Sequence, residues 1–162
     1  MERRDKINYY LDIAQAVSSR GTCLRRNFGA IIVKNDEILS TGYVGAPRGR
    51  QNCCDLGYCT REKLQIPRGE RYELCRSVHA EANAIISASR SDMLGSTLYL
   101  VGREYRTGEY VKNAAPCAMC KRLIINAGIE TVIVRDTIDE YRVFNVAESW
   151  VNTDASMEQI GY

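Results

Sequence analysis

Histidine is nearly absent from this chain: His79 is the only one in 162 residues. A site built on several imidazoles is therefore excluded, and any metal beyond one at His79 must be held mainly by cysteine. Charge of one sign is also scarce. Lys and Arg number 22 against 20 Asp and Glu, a net charge of +2, too small to argue for a broad nucleic-acid or anionic membrane surface. No run of 18 apolar residues occurs, so no transmembrane helix is expected. Met1-Glu2-Arg3-Arg4-Asp5-Lys6 is not followed by an apolar stretch, which argues against a secretory leader and for a cytoplasmic protein. Internal repeats and low-complexity segments are missing as well.

What is present points to one domain spanning residues 1–162 with its own core, since 45% of the residues are hydrophobic. Seven cysteines without a leader suggest a reducing compartment, where clustered thiols bind metal more often than they pair. The odd count also leaves one thiol over in any all-disulfide scheme.

Helical spacing of Ile7, Tyr10, Leu11, Ala14 and Val17 predicts a helix from Asp5 to Ser19. Phe28–Val33 reads as a buried strand, Asn35-Asp36 as a turn and Glu37–Tyr43 as its hairpin partner. Segment 45–76 lacks apolar periodicity and holds Pro47, Pro67, Cys53, Cys54, Cys59 and Cys75. A loop of this length is uncommon in a compact domain unless it is functional or tied down. Helices are predicted over Val78–Ser89 and Cys117–Ala127, the latter closed by Gly128. Strands are predicted over Thr97–Val101 and Thr131–Val134, with a further candidate at Val143–Val146 and a partly helical tail from Ala147 to Tyr162. Helices alternating with strands give a mixed sheet covered by helices, with parallel pairing across the strand-helix-strand passages.

Two short motifs carry the chemistry: His79-Ala80-Glu81 and Pro116-Cys117-Ala118-Met119-Cys120. Cysteines three apart at a helix start share one face, and the electropositive N-terminus favours their thiolates. Pro116 needs no N–H there. One imidazole and two thiolates can hold zinc and leave its fourth position open, as catalytic sites do. Such an ion lowers the pKa of water to about 7 and supplies a nucleophile at neutral pH. Glu81, two residues past His79, is then free to carry protons. The pair of motifs, in this order, resembles the signature of zinc-dependent nucleobase deaminases.

Five cysteines remain. Four suffice for a closed thiolate site, and Cys23, Cys53, Cys59 and Cys75 are the expected set for a second, structural zinc. Cys54 is left out because adjacent residues of an extended chain face opposite ways. Buried free thiols are the alternative.

Further blocks narrow the resemblance: Cys23, Phe28-Gly29-Ala30, Thr41-Gly42-Tyr43-Val44-Gly45-Ala46-Pro47, Asn52-Cys53-Cys54-Asp55 and His79-Ala80-Glu81-Ala82-Asn83-Ala84-Ile85. Over about residues 5–140 the chain looks like the deoxycytidylate (dCMP) deaminase branch of the cytidine deaminase superfamily. That resemblance implies a cytidine deaminase-like three-layer α/β/α fold with a mixed five-stranded sheet, one catalytic zinc and conversion of dCMP to dUMP. It further implies a homo-oligomer (a hexamer in relatives), dCTP and dTTP as effectors and, in some members, a second zinc on cysteines matching Cys23 and Cys53.

Two departures stand out. Val44 replaces an Asn that in relatives helps bind the substrate sugar, and an insert over Gly102–Ala115 brings Arg103, Arg106 and Lys112. The insert could reshape the pocket mouth, contact phosphate or form a solvated loop. Substrate contacts are expected from Asn27, Tyr43, Arg26 and Arg48, with Arg25 and Arg50 nearby. Other free aminated rings, an RNA substrate (disfavoured by the near-neutral charge) and a non-catalytic zinc protein are the competing readings.

Overall fold

The computed structural model describes residues 1–153. Helix α1 (Lys6–Ser18) begins at Asp5, whose carboxylate accepts the Asn8 N–H at 2.9 Å, a conventional N-cap. It leads into β1 (Arg26–Lys34), which pairs antiparallel with β2 (Glu37–Tyr43). The connection is Asn35-Asp36, both at positive φ, the two-residue turn that matches strand twist. After segment 45–76 come α4 (Ala80–Ile86), the single turn α5 (Arg90–Met93), β3 (Thr97–Glu104), α6 (Ala118–Ala127), β4 (Thr131–Arg135) and β5 (Tyr141–Asn145), then a helical turn at Ala147–Val151. The short helices α2 (Cys53–Leu56) and α3 (Thr60–Lys63) lie within segment 45–76.

The five strands form one sheet in the order β2-β1-β3-β4-β5. Only β3 and β4 run parallel, joined through α6, while β5 closes the far edge antiparallel to β4. The expected mixed five-stranded sheet between helical layers is therefore present. On one face, α1 packs Tyr10, Leu11 and Ala14 against Ile31, Val33, Tyr99, Val101 and Ile133. On the other, α4 and α6 cover Phe28, Ala30, Ile32, Leu98, Leu100, Val132 and Val134. The tail expected to be partly helical is helical at Ala147–Val151; its remainder, 154–162, lies outside the described residues.

Two glycines set how closely the helices approach. A Cβ on Gly29 would meet the Ala14 carbonyl and Ser18 nitrogen of α1 at 2.3 Å, and one on Gly42 would meet Ala80 O and Ala84 N of α4 at 2.3 Å. Both helices thus lie backbone-on-backbone against the sheet, one on each face.

Segment 45–76 is built differently. None of its residues belongs to either apolar cluster, and its buried side chains are Cys53, Cys59 and Arg61. Its single-turn helices were not expected, because one turn carries no readable periodicity. The insert is not a solvated loop. It prolongs β3 as a hairpin, with Arg103 bridged to Tyr110, and it places Val111 and Ala114 in the core.

Gly42→Ala should lower the unfolding free energy by about 2 kcal/mol, the usual cost of overpacking, in urea melts. Unchanged stability would mean that α4 does not contact the sheet there.

Candidate metal centre and active site

His79 and Cys117 are not inside helices, as their spacing suggested, but are the N-caps of α4 and α6, with extended backbone (ψ 153° and 167°). An extended N-cap swings its side chain across the helix mouth. Cys120 is then the third residue of α6, the position an N-cap side chain naturally meets. Because α4 and α6 pack on the same sheet face, the two mouths converge. His79 Nδ1 lies 3.5 Å from Cys117 Sγ and 3.4 Å from Cys120 Sγ. All three ligand atoms fall within 4.8 Å of one another and all three residues are buried. Among the described residues this is the only such group of three or more His, Cys, Asp or Glu side chains.

The arrangement fits zinc. Tetrahedral bonds of about 2.0–2.3 Å place nitrogen and sulfur ligands about 3.5 Å apart, as found here. Glu81 adjoins the three ligands, fully buried with Oε2 3.7 Å from Cys120 Sγ. Expressed without metal, the group shares charge unevenly. The hydrogen bond from Cys120, reinforced by His79, holds the Cys117 thiol below its ordinary range, and the same partnership pushes Cys120 up. Burial alone would depress His79, but its bond to Cys117 and the Glu81 charge outweigh it, and the net shift is upward. Burial raises Glu81 to about 7, against a partial pull downward from His79.

A cavity of about 60 Å³ adjoins His79, walled by Phe28, Val44 and Tyr72 and bordered by Arg25 and Arg26. Tyr72 meets the His79 ring edge-on, 5.1 Å between centroids. Of the expected substrate contacts, Arg26 reaches this cavity, and its Nε pairs with Glu104 at 3.0 Å. Asn27, one residue on, belongs to the opposite strand face; its Oδ1 accepts the Cys23 N–H at 3.0 Å. Tyr43 and Arg48 line a second, open cavity of about 580 Å³ with Arg20, Arg50, Asn52 and Asn83. None of the described insert residues borders the His79 cavity.

Cys23, Cys53, Cys59 and Cys75 lie near enough to influence one another's charge, but no three of their sulfurs fall within 4.8 Å of one another. Burial chiefly raises the Cys23, Cys53 and Cys75 thiols, and neighbouring thiols of the same group add to the effect. Their spacing is looser than that of the His79 group. Cys54 is exposed and turns toward Asp55. Sequence reasoning missed Tyr72, Arg61 and Arg68 at the cavity; no spacing rule links them to His79, although Pro67-Arg68-Gly69 is a turn signature.

The Glu81 shift has a testable sign. Between pH 4.5 and about 7 the folded, metal-free chain binds a proton at Glu81 that the unfolded chain does not. This contribution to stability therefore falls as pH rises through that window and is level above it, by about 3 kcal/mol in total. Denaturant melts of chelated parent and Glu81→Gln from pH 5 to 8 should show a difference that changes in this direction. A pH-independent difference would contradict it.

The family model for the cytidine and deoxycytidylate deaminase zinc-binding region matches residues 4–136. The deoxycytidylate deaminase of Mycobacterium phage D29 is 38% identical over 138 residues, covering 82% of this chain and 96% of that protein. That of Schizosaccharomyces pombe is 29% identical over 126 residues, covering 78% of this chain, which spans only 35% of the yeast protein. Among solved structures, dCMP deaminase of cyanophage S-TIM5 in its apo form superposes with TM-score 0.57 at 28% identity, over 83% of this chain and 85% of that one. Its complex with dCMP and dUMP gives 0.55 at 26%, over 83% and 84%. With a buried imidazole, two thiols and a carboxylate gathered at two helix mouths, the chain belongs to the cytidine and deoxycytidylate deaminase zinc-binding family and is a zinc-dependent hydrolytic deaminase.

Proposed function

We propose that this chain converts dCMP to dUMP and ammonia. The observation that carries the reading is Glu81: a fully buried carboxylate beside three metal-type ligands, for which a purely structural site has no use. Relatives named deoxycytidylate deaminase, and a similar structure holding dCMP and dUMP, support the choice of ring.

In this reading His79, Cys117 and Cys120 hold the zinc, which when bound acts as a Lewis acid and lowers the pKa of water to about 7. Glu81, whose burial keeps its proton affinity near neutrality, takes a proton from water. It delivers protons first to the ring nitrogen and then to the departing amine. Phe28, Val44 and Tyr72 form an apolar wall that excludes bulk water from this exchange. Val44 is the observation that favours a second reading. It borders the cavity at the position where the family resemblance implies Asn, so a different aminated nucleoside or nucleotide is the alternative substrate.

The finer features follow as part of the same proposal. Cys23, Cys53, Cys59 and Cys75 bind a second, structural zinc that orders a segment lacking apolar core residues. Residues 1–162 act as one catalytic domain in a cytoplasmic homo-oligomer with no polynucleotide partner. The open cavity edged by Arg20, Arg48 and Arg50 is the place for dCTP or dTTP as effectors. No helix among the described residues is long and apolar enough to cross a membrane.

Glu81→Gln should retain zinc and fold yet lose turnover by about 10²- to 10⁴-fold; activity equal to the parent would eliminate the mechanism and revive a non-catalytic zinc protein. Ammonia release from a panel of aminated nucleosides and nucleotides tests the substrate, and turnover of others without dCMP would overturn it. Metal analysis should find two zinc ions per parent chain and one in Cys59→Ser, and a single ion in both would remove the second site.

A further inference from the structure

Four arginines surround the His79 cavity: Arg25, Arg26, Arg61 and Arg68. Three already have acceptors. Arg25 Nε pairs with Glu62 at 3.1 Å, Arg26 Nε with Glu104 at 3.0 Å, and Arg61 donates to backbone carbonyls. Arg68, exposed at the cavity rim, has no acceptor among the described residues.

Its backbone is held with unusual care. Glu70 N–H bonds to Pro67 O at 3.3 Å and Gly69 has φ +83°, so Pro67-Arg68-Gly69-Glu70 is a tight turn with Arg68 at its corner and glycine where positive φ is required. Arg61, only 5% exposed, clasps both ends of that turn: Nη2 reaches Pro67 O at 3.2 Å, and Nε reaches Glu70 O at 3.1 Å. The same guanidinium lies 4.4 Å from the centre of the Tyr72 ring, which abuts His79. A buried cation committed to carbonyls is costly unless fully bonded. Here it fixes the separation between the Arg68 corner and the metal ligands.

We infer that Arg68 recognises the 5′-phosphate of the substrate and so sets the preference for nucleotide over nucleoside, with Arg61 as its positioning residue. The inference rests on the nucleotide substrate proposed above. Arginine suits the task because its planar fork pairs with phosphate through two parallel bonds. No covalent step is involved, and the ring chemistry stays with Glu81 and the metal ligands.

The test compares zinc-loaded parent, Arg68→Ala and Arg68→Lys on dCMP and on deoxycytidine. Arg68→Ala should lower kcat/KM for dCMP about 10- to 100-fold, the range for one charge-assisted contact, chiefly through KM. Turnover of deoxycytidine and zinc content should not change, and Arg68→Lys should recover part of the loss. An equal loss on both substrates, an unchanged dCMP to deoxycytidine ratio, or a parent that prefers deoxycytidine would overturn the inference. A parent inactive on both overturns the proposed function instead. The inference is then decided by binding: dUMP must bind the parent more tightly than deoxyuridine does, and Arg68→Ala must abolish that difference.

Discussion

The meeting of two helix mouths on one sheet face is the constraint on which the rest depends. His79 caps α4 and Cys117 caps α6, so the 3.5 Å between imidazole and sulfur depends on how the two helices pack. Gly42 lets the α4 backbone rest directly on β2, while Ala80, Ala84 and Ile124 complete the apolar filling between the helices and the sheet. Helix N-termini are electropositive, which favours thiolate at Cys117, and burial of Glu81 in the first turn of α4 raises its proton affinity. One packing decision thus creates the ligand geometry, the thiolate and the proton carrier together.

Much of this was legible in the sequence, and the limits have physical causes. The metal ligands could be read because they sit in motifs whose members are two or three residues apart, and local spacing translates directly into shared geometry. Helix α1 could be read because burial of one face imposes a helical period, and the central strands because burial on both faces leaves short continuous apolar runs. The substrate contacts were harder. Arg26 and Asn27 look equivalent as a pair, yet alternation along β1 sends Arg26 toward the His79 cavity and Asn27 to the α1 side. Which face is which depends on where α4 packs, information that lies some fifty positions away along the chain. Tyr43 and Val44 divide in the same manner between the two cavities.

Segment 45–76 illustrates a second limit. Its interior is made of thiols and a guanidinium, not of apolar side chains, so hydrophobic periodicity has nothing to report. The cysteines were the one signal in the sequence that something other than an apolar core holds the segment. Arg61 gave no comparable signal. A lone arginine in a polar stretch is ordinarily solvated, and its role depends on carbonyls at positions 67 and 70 that only the folded turn presents. The insert misled for the converse reason. Its three cations drew attention, whereas Val111 and Ala114, the residues that tie it to the core, are unremarkable in sequence.

The paired glycines have one more consequence. Ala30 lies opposite Gly42, and Gly29 opposite Tyr43, so the closest approaches of α1 and α4 fall on neighbouring positions of adjacent strands, from opposite sides of the sheet. A contact made by side chains can shift among rotamers; a contact made by backbone has none to shift among. At this one place the three layers are joined without torsional freedom. Thermal motion that blurs side chains elsewhere should therefore reach the ligand-bearing end of α4 only as displacement of the whole sheet.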